Sequence, residues 1–336
     1  MTNKQRLIVI IGIVISIVFL WLAFRDLNPA AFWVYIQEAN LALLLFASLW
    51  FFAAVAMISL RWSFLLRSVK RVPLLDLIGL VCIGYMGNNI YPLRSGEILR
   101  IVLLQRNHGV PVTQGAVVTV AERMFDGIVM LTFVFISLAA LEIVSPTFSA
   151  ILSAATPIFL GALIVFFLLA ARPNLLRGIV ERITRIFPDR LRGIALRLSE
   201  QVLSSLDAFR TPADLIGTIL TSYATWLLKA SVSWIVAFAF GMQLDFMVML
   251  LIVGVVNLAG LVPASPGQVG VFEFLVIAVL VAVGVNEAQA SAYAVVMHLV
   301  IWLPVTLVGF ILLIRQGLNW SAIARARDLE SKAVTP

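Results

Sequence analysis

Residues 88–100, with the sequence NNIYPLRSGEILR, place two amides, a proline, a glycine and three charged side chains inside a hydrophobic segment. In lipid such a stretch is costly, because unpaired backbone groups and ionised side chains have no water to bind. A chain retains it where it lines a cavity or a site. Arg94 and Arg100 against Glu97 leave net positive charge, which suits a phosphate group. A self-satisfied ion cluster that only locks the turn is the alternative, and both can hold.

A second group of charges follows at Glu122, Arg123 and Asp126. On a helix Glu122 and Asp126 share a face, whereas Arg123 points aside. We expect one of the two carboxylates to pair with Arg94 or Arg100. A position at the cytoplasmic water boundary is the alternative, but the long apolar run that precedes these residues favours partial burial. Paired carboxylates could also relay a proton or hold a metal; because no histidine lies nearby, we predict no metal site.

Lys229 lies near the centre of an apolar run at 213–241, too deep for easy snorkelling. A lysine there costs ~2.5–3.5 kcal/mol on insertion scales, so a partner is expected. The candidates are Glu273, as a structural ion pair, or a bound lipid phosphate. His298, inside the last apolar run, is expected to make a helix-to-helix hydrogen bond. The amides that could add hydrogen bonds to a ligand are Asn88, Asn89, Asn257 and Gln268.

The composition indicates a polytopic membrane protein. Of 336 residues, 62% are hydrophobic and only 12% charged, with a mean hydropathy of +1.06, far from the values of soluble domains. The net charge of +7 does not indicate a nucleic-acid partner, because the basic residues cluster between apolar runs. The single cysteine excludes an internal disulfide. No nucleotide-binding fingerprint is present, so we expect no cofactor and no ATP-driven pumping.

The apolar runs divide into uninterrupted and interrupted ones. The uninterrupted runs are 7–24, 41–60, 125–141 (extending back to about 114), 148–171, 213–241 and 290–314. Two others, 74–91 and 246–262, end in a break that contains proline and glycine, and they resume as the shorter runs 97–104 and 269–284.

The positive-inside rule decides how the interrupted runs sit in the membrane. Lys4 and Arg6 place the N-terminus in the cytoplasm, 25–40 becomes an outside loop, and 61–73, with Arg61, becomes an inside loop. If 74–91 crossed completely, the arginine-rich segment 172–212 would lie outside, against the rule. We therefore predict an all-α fold of six crossing helices plus two opposed re-entrant hairpins, 74–104 and 246–284, with both termini cytoplasmic.

The rest of the chain follows from this topology. Residues 1–316 form a single transmembrane domain, and 317–336 form a cytoplasmic tail. In 172–212 arginines alternate with leucines and isoleucines, which is typical of an amphipathic segment at the anionic inner leaflet. The two breaks share a Pro-x-x-x-Gly core, and broken helices in inverted repeats build the midplane sites of many transporters. An inverted-repeat origin is one interpretation of that match, and chance is the other.

At these motifs the sequence resembles the integral membrane proteins related to the transmembrane flippase domain of bacterial lysylphosphatidylglycerol synthases. The resemblance covers about 7–314. The residues that carry it are Asn88-Asn89-x-x-Pro92-x-Arg94-x-Gly96-Glu97-x-x-Arg100, Glu122-Arg123-x-x-Asp126 and Pro263-x-x-Pro266-Gly267-x-x-Gly270-x-x-Glu273. The soluble aminoacyl-transferring domain of the synthases is absent from this sequence, which removes the ground for assigning lysylphosphatidylglycerol as the substrate.

The resemblance implies a protein of the bacterial inner membrane that moves an anionic or polyprenyl-linked lipid between leaflets. The headgroup would be held by Arg94, Arg100 and Lys229, while Glu97, Glu122, Asp126 and Glu273 would orient these cations or relay a proton. The alternatives are an intramembrane transferase that acts on a lipid phosphate, with Glu122 or Asp126 as base, and a non-transporting partner subunit. Expected partners are the lipid, a second copy of the chain or a separate lipid-modifying enzyme, and no nucleic acid.

Overall fold

The computed structural model describes residues 3–25, 27–91, 95–141, 211–258 and 265–316, together with a few single positions between 153 and 196. Over these residues the chain is all helical. Most of the predicted span 148–171, most of the predicted amphipathic segment 172–212, and the tail 317–336 lie outside the described residues, so these remain predictions. The helices are α1 Asn3–Phe24, α2 Pro29–Glu38, α3 Leu41–Leu66, α4 Leu74–Ile90, α5 Ser95–His108, α6 Val112–Leu141, α7 Pro212–Ala239, α8 Phe246–Leu258, α9 Val271–Ala282 and α10 Glu287–Arg315.

The long helices agree with the predicted polytopic architecture. In the described part of the chain, α3, α6, α7 and α10 are long and apolar enough to cross a bilayer. A fifth span results if the residues of α1 from Gly12 onward and α2, which meet at an angle of 87°, are counted as one broken span. Most of the segment 25–40, which the sequence analysis places in an outside loop, is helical, because α2 lies there. Asn28 caps that helix by accepting hydrogen bonds from Ala30 N and Ala31 N, and Pro29 opens it.

Helices α4 and α5 form the first predicted hairpin. They pack against one another, with α4 ending at Ile90 and α5 beginning at Ser95. Their contact is so close that a Cβ atom on Gly96 would lie 1.9 Å from the carbonyl oxygen of Gly84. The side chain of Asn88 reinforces the turn, since its Oδ1 accepts a hydrogen bond from Gly96 N at 3.0 Å. The prediction that Gly96 to Arg100 begin the returning helix is confirmed.

Helices α8 and α9 form the second hairpin, with a short 3₁₀ turn, Pro266–Gln268, at its tip. Helix α1 packs on its outer side, where the rings of Phe19 and Phe274 lie 5.1 Å apart. In addition, Ser16 Oγ accepts a hydrogen bond from Ser265 N at 2.9 Å. The interrupted run 246–284 therefore folds as two short helices around the predicted break.

The two hairpins enter the bundle from opposite ends, as contacts with α10 show. Asn107, at the base of the first hairpin, donates to Gln316 just after the C-terminus of α10. The second hairpin leads into the N-terminus of α10, about 44 Å away along the helix axis. The two tips meet beside the middle of α10, where Asn89 donates to Thr306 and Gly267 lies against Trp302.

Charge is distributed unequally between the two ends of the bundle. The end that holds the base of the first hairpin carries Arg67, Lys70, Arg71, Arg106 and Arg315 with Asp76 and Asp214, whereas the other carries Arg25 with Glu38, Asp245 and Glu287. By the positive-inside rule the first end is expected to face the cytoplasm.

Candidate functional site: a polar cavity between the hairpin tips

A cavity of about 450 Å³ lies where the hairpin tips meet α3, α6, α7 and α10. It brings together side chains that the sequence separates by as much as 251 positions, from Phe51 to Trp302. Of the predicted site residues, Asn88, Asn89, Glu97, Arg100, Glu122, Arg123, Asp126, Lys229, Asn257 and Gln268 all line it. Glu273 lies behind the wall, against His298, which faces the cavity. Arg94 is outside the described residues.

Ion pairs between α3, α5 and α6 form one wall of the cavity. Glu122 Oε2 accepts from Arg100 Nη2 at 2.6 Å, and the side chains are only 3% and 6% exposed. The predicted pairing of a carboxylate of α6 with an arginine of the first hairpin is confirmed. The predicted partial burial of this segment is also confirmed, because Glu122 and Asp126 are both buried.

The centre of this wall is Arg61, which the sequence analysis assigned to a cytoplasmic loop. That assignment was wrong: Arg61 lies inside α3 and is 1% exposed. It donates to Glu122 Oε1 at 2.6 Å and to Asp126 Oδ1 at 2.7 Å. Its signal in the sequence was the apolar stretch that resumes after it, Trp62 to Leu66, before the charge at Arg67.

The helical spacing predicted that Arg123 points aside. That prediction was wrong, because Arg123 joins this group. Its Nη1 lies 3.5 Å from Asp126, and its Nη2 lies 3.6 Å from Glu122 and 3.8 Å from Glu97. The side chain is 42% exposed, so it forms the open side of the wall. We call the six residues Arg61, Glu97, Arg100, Glu122, Arg123 and Asp126 the charge cluster.

Two tryptophans each contact a carboxylate of the charge cluster and a cation. Trp62 Nε1 donates to Glu122 at 3.0 Å, and the guanidinium of Arg100 lies 3.9 Å from its ring centroid. Trp226 Nε1 donates to Asp126 at 2.7 Å. In each case a carboxylate fixes the indole, and the ring face attracts a cation.

The cation on Trp226 is Lys229, whose Nζ lies 3.6 Å from the ring centroid and donates to Tyr85 Oη at 3.0 Å. Of the two candidate partners, Glu273 therefore does not pair with Lys229. Within the part of the chain that the structure describes, no Asp or Glu pairs with this ammonium. Lys229 lies about 15 Å before the end of α7, in the cavity wall. An aromatic cage, instead of a counter-charge, holds this lysine inside the bundle.

Glu273 is used within the second hairpin. Its Oε2 accepts from Gly270 N at 2.6 Å, which caps α9, and its Oε1 lies 2.5 Å from His298 Nδ1 of α10. The predicted helix-to-helix hydrogen bond of His298 is confirmed. Phe272 covers the imidazole, with ring centroids 4.5 Å apart. This pair fixes the second hairpin to α10.

Amide side chains form the rest of the cavity wall. Asn88 closes the first hairpin, Asn89 Nδ2 donates to Thr306 at 2.7 Å, and Asn257 Nδ2 donates to Val253 O at 2.7 Å. Gln268, at the tip of the second hairpin, has a φ of 60°, a region that costs a non-glycine residue free energy. Its side chain makes no hydrogen bond to any described residue.

This arrangement can bind an anion. In the described ranges, no three His, Cys, Asp or Glu side chains come together as they do around a metal ion. The three arginines of the charge cluster face three carboxylates, so their charges are compensated. Lys229 is left as a cation with neutral hydrogen-bonding groups around it.

The fold and the cavity define a class: a polytopic helical membrane protein with a polar, cation-bearing cavity between two opposed helical hairpins. Comparison with known proteins identifies the family. Residues 9–309 match the family described as the lysylphosphatidylglycerol synthase TM region, and the chain belongs to it.

Several curated proteins are similar over most of the chain. A UPF0104 membrane protein of Pyrococcus horikoshii is 22% identical over 330 residues, which cover 93% of this chain and 97% of that protein. One from Methanothermobacter thermautotrophicus is 25% identical over 271 residues, 76% of this chain and 78% of that protein. Glycosyltransferase AglD of Haloferax volcanii is 25% identical over 329 residues, 88% of this chain but only 52% of AglD.

Proposed function

We propose that this protein moves an anionic or polyprenyl-linked lipid between membrane leaflets, with the headgroup passing through the polar cavity. The observation that carries the proposal is Lys229. A half-buried lysine inside the bundle, with no carboxylate partner among the described residues, is costly in a membrane. It lies where two hairpins from opposite ends of the bundle meet. A lipid phosphate would supply the missing negative charge.

The opposed hairpins support transport more than simple binding. Because each hairpin reaches the cavity from its own end of the bundle, a shift of either tip would open the cavity toward one side. Broken helices that meet at the middle of the membrane are a common way to build such a site. The proposed location is the bacterial inner membrane, with the charge-rich end of the bundle and both termini in the cytoplasm.

The rival proposal is an intramembrane transferase with Glu122 or Asp126 as base. The contacts of Glu122 argue against it, because its two oxygens already accept hydrogen bonds from Arg61, Arg100 and Trp62. A carboxylate held by two arginines is a poor proton acceptor. The other rival, a non-transporting partner subunit, predicts that the purified protein exchanges no lipid.

An exchange assay tests the proposal. Purified protein is reconstituted into vesicles that contain fluorescent phosphatidylglycerol, and the label in the outer leaflet is bleached with an impermeant reductant. In protein-free vesicles only the outer-leaflet label, about half of the total, is bleached. With the protein present we expect the bleached fraction to exceed this half, because label from the inner leaflet reaches the outer one. The Lys229→Met variant should slow exchange about tenfold or more, because one charge-assisted hydrogen bond is lost.

Lys70→Met is the matched control, since Lys70 is an exposed lysine outside the cavity. It should exchange lipid like the unchanged protein. Equal rates for Lys229→Met and the unchanged protein, or no exchange above protein-free vesicles, would contradict the proposal. Chemical change of the headgroup without exchange would favour the transferase.

A further inference from the structure

The charges in the cavity wall limit the negative charge that a bound ligand can carry. In the charge cluster three arginines face three carboxylates, with Arg61 and Arg100 buried against Glu122 and Asp126 at 2.6 to 2.7 Å. These arginines have little attraction left for an anion. Counted over the described residues that line the cavity, the surplus is the single positive charge of Lys229.

Lys229 can still bind a ligand directly. An ammonium group has three N–H donors, and its contact with Tyr85 Oη uses one of them. The ring of Trp226 stabilises the charge from one side without supplying a hydrogen-bond acceptor. The remaining donors suit an oxygen that carries one negative charge. A second negative charge would find no counter-charge among the described residues of the wall, and an unpaired charge in a region of low dielectric constant is expensive.

The neutral part of the wall indicates what the rest of the headgroup is like. Gln268 holds its amide in the cavity from a backbone conformation with a φ of 60°, and such strain occurs where a site requires it. Asn88, Asn257 and Ser265 line the same space. Amides and hydroxyls donate and accept, so they match sugar or glycerol hydroxyls. No described carboxylate of the cavity lacks an arginine partner, so a cationic headgroup finds no counter-charge here.

We propose that the ligand is a phosphodiester lipid with one negative charge and an uncharged, hydroxyl-rich headgroup, such as glycerol or a sugar. This inference rests on the proposed function and names its substrate class. The phosphate binds Lys229, and the hydroxyl groups bind the amides around Gln268. Phosphomonoesters and diphosphates carry too much charge, and aminoacylated headgroups carry the wrong charge. The volume of about 450 Å³ accommodates a headgroup, while the acyl or prenyl chains remain in lipid.

A binding measurement tests the substrate class independently of transport. Thermal unfolding of the purified protein in detergent is followed while short-chain lipids are titrated, because a ligand of the folded state raises Tm. The probes are dihexanoyl phosphatidylglycerol, a short-prenyl glucosyl phosphate, dihexanoyl phosphatidic acid and lysyl-phosphatidylglycerol. We expect saturable stabilisation by at least one of the first two, with an affinity at least about tenfold higher than that for the last two. The comparison of the first two identifies the source of the phosphodiester.

Two variants connect binding to the residues. Lys229→Met should weaken binding of the preferred phosphodiester about tenfold to a hundredfold, the loss expected for one charge-assisted hydrogen bond. Gln268→Glu adds a carboxylate to the cavity, so it should weaken phosphodiester binding and strengthen binding of the lysyl lipid. Lys70→Met should change neither affinity.

The outcomes separate this inference from the proposed function. Equal or tighter binding of phosphatidic acid or the lysyl lipid, or binding of none of the four probes, overturns the inference. Vesicle exchange of all four lipids at similar rates would overturn it while leaving the transport proposal intact. Selective phosphodiester binding without any exchange in vesicles would overturn the transport proposal and leave the substrate class intact.

Discussion

Replacement of Glu122 by glutamine is the most direct test of the charge cluster. Glu122 is 3% exposed and accepts hydrogen bonds from Arg61, Arg100 and Trp62. The Glu122→Gln variant keeps the size of the side chain. It leaves the buried Arg61 with Asp126 as its partner and removes the carboxylate that pairs with the buried Arg100. Removal of one partner from a buried pair costs about 3–5 kcal/mol. We therefore expect a loss of unfolding free energy of at least about 3 kcal/mol.

Equilibrium unfolding in mixed micelles, followed by tryptophan fluorescence, measures this loss. The exposed Glu38→Gln variant is the control and should stay within about 0.5 kcal/mol of the unchanged protein. A double variant sharpens the test, because Arg61→Met combined with Glu122→Met removes one charge of each sign. It should be more stable than the sum of the two single losses predicts, by about 0.5–3 kcal/mol. Additive losses, or a cost of Glu122→Gln below about 1 kcal/mol, would refute the idea that these ion pairs hold the wall together.

Three further predictions concern the hairpins and the aromatic cage. Gly96→Ala would place a methyl group 1.9 Å from a carbonyl oxygen of α4, so we expect little folded protein by size-exclusion chromatography. The control Gly79→Ala should fold normally, because its Cβ would meet its nearest neighbour at 3.8 Å. Trp226→Phe keeps a ring under Lys229 but loses the hydrogen-bond donor to α6. In the vesicle assay this variant should exchange lipid more slowly than the unchanged protein and faster than Trp226→Ala. Equal rates for all three proteins would exclude a role for the aromatic cage. In a background with Cys82→Ala, Asn107→Cys and Glu287→Cys should react with impermeant maleimides from opposite sides of the membrane, because they lie at opposite ends of α10; labelling from the same side would overturn the opposed arrangement.

The sequence predicted the parts of the fold that depend on local chemistry. The proline and glycine break marked where the apolar helix ends, and the positive-inside rule predicted that the chain turns back there instead of crossing. The apolar runs of α3, α6, α7 and α10 are long enough to predict these helices from the sequence. Helix α2 was missed, although Asn28 followed by Pro29 is a helix-start signal, because a short segment between two apolar runs also fits a loop.

The choice of partners was decided in three dimensions. Arg61 looked like one more basic residue at the cytoplasmic end of a span, and only the packing of α3 against α6 and α7 shows that it is the centre of the charge cluster. Glu273 was a reasonable partner for Lys229 on charge alone. The structure gives Glu273 to Gly270 and His298, since the helix cap and α10 are close to it.

The stretch 88–100 shows the same division. By itself the sequence determined that this stretch is a polar break in a membrane segment, because hydrophobicity and backbone geometry act over neighbouring residues. It also determined that most of the charged and amide residues named as candidates belong near a site. The tertiary structure alone decided that the arginines of α3, α5 and α6 are neutralised by carboxylates while Lys229 is held by aromatic rings. Ion pairing depends on distances of a few ångströms between helices far apart in the chain, and no local pattern fixes those distances.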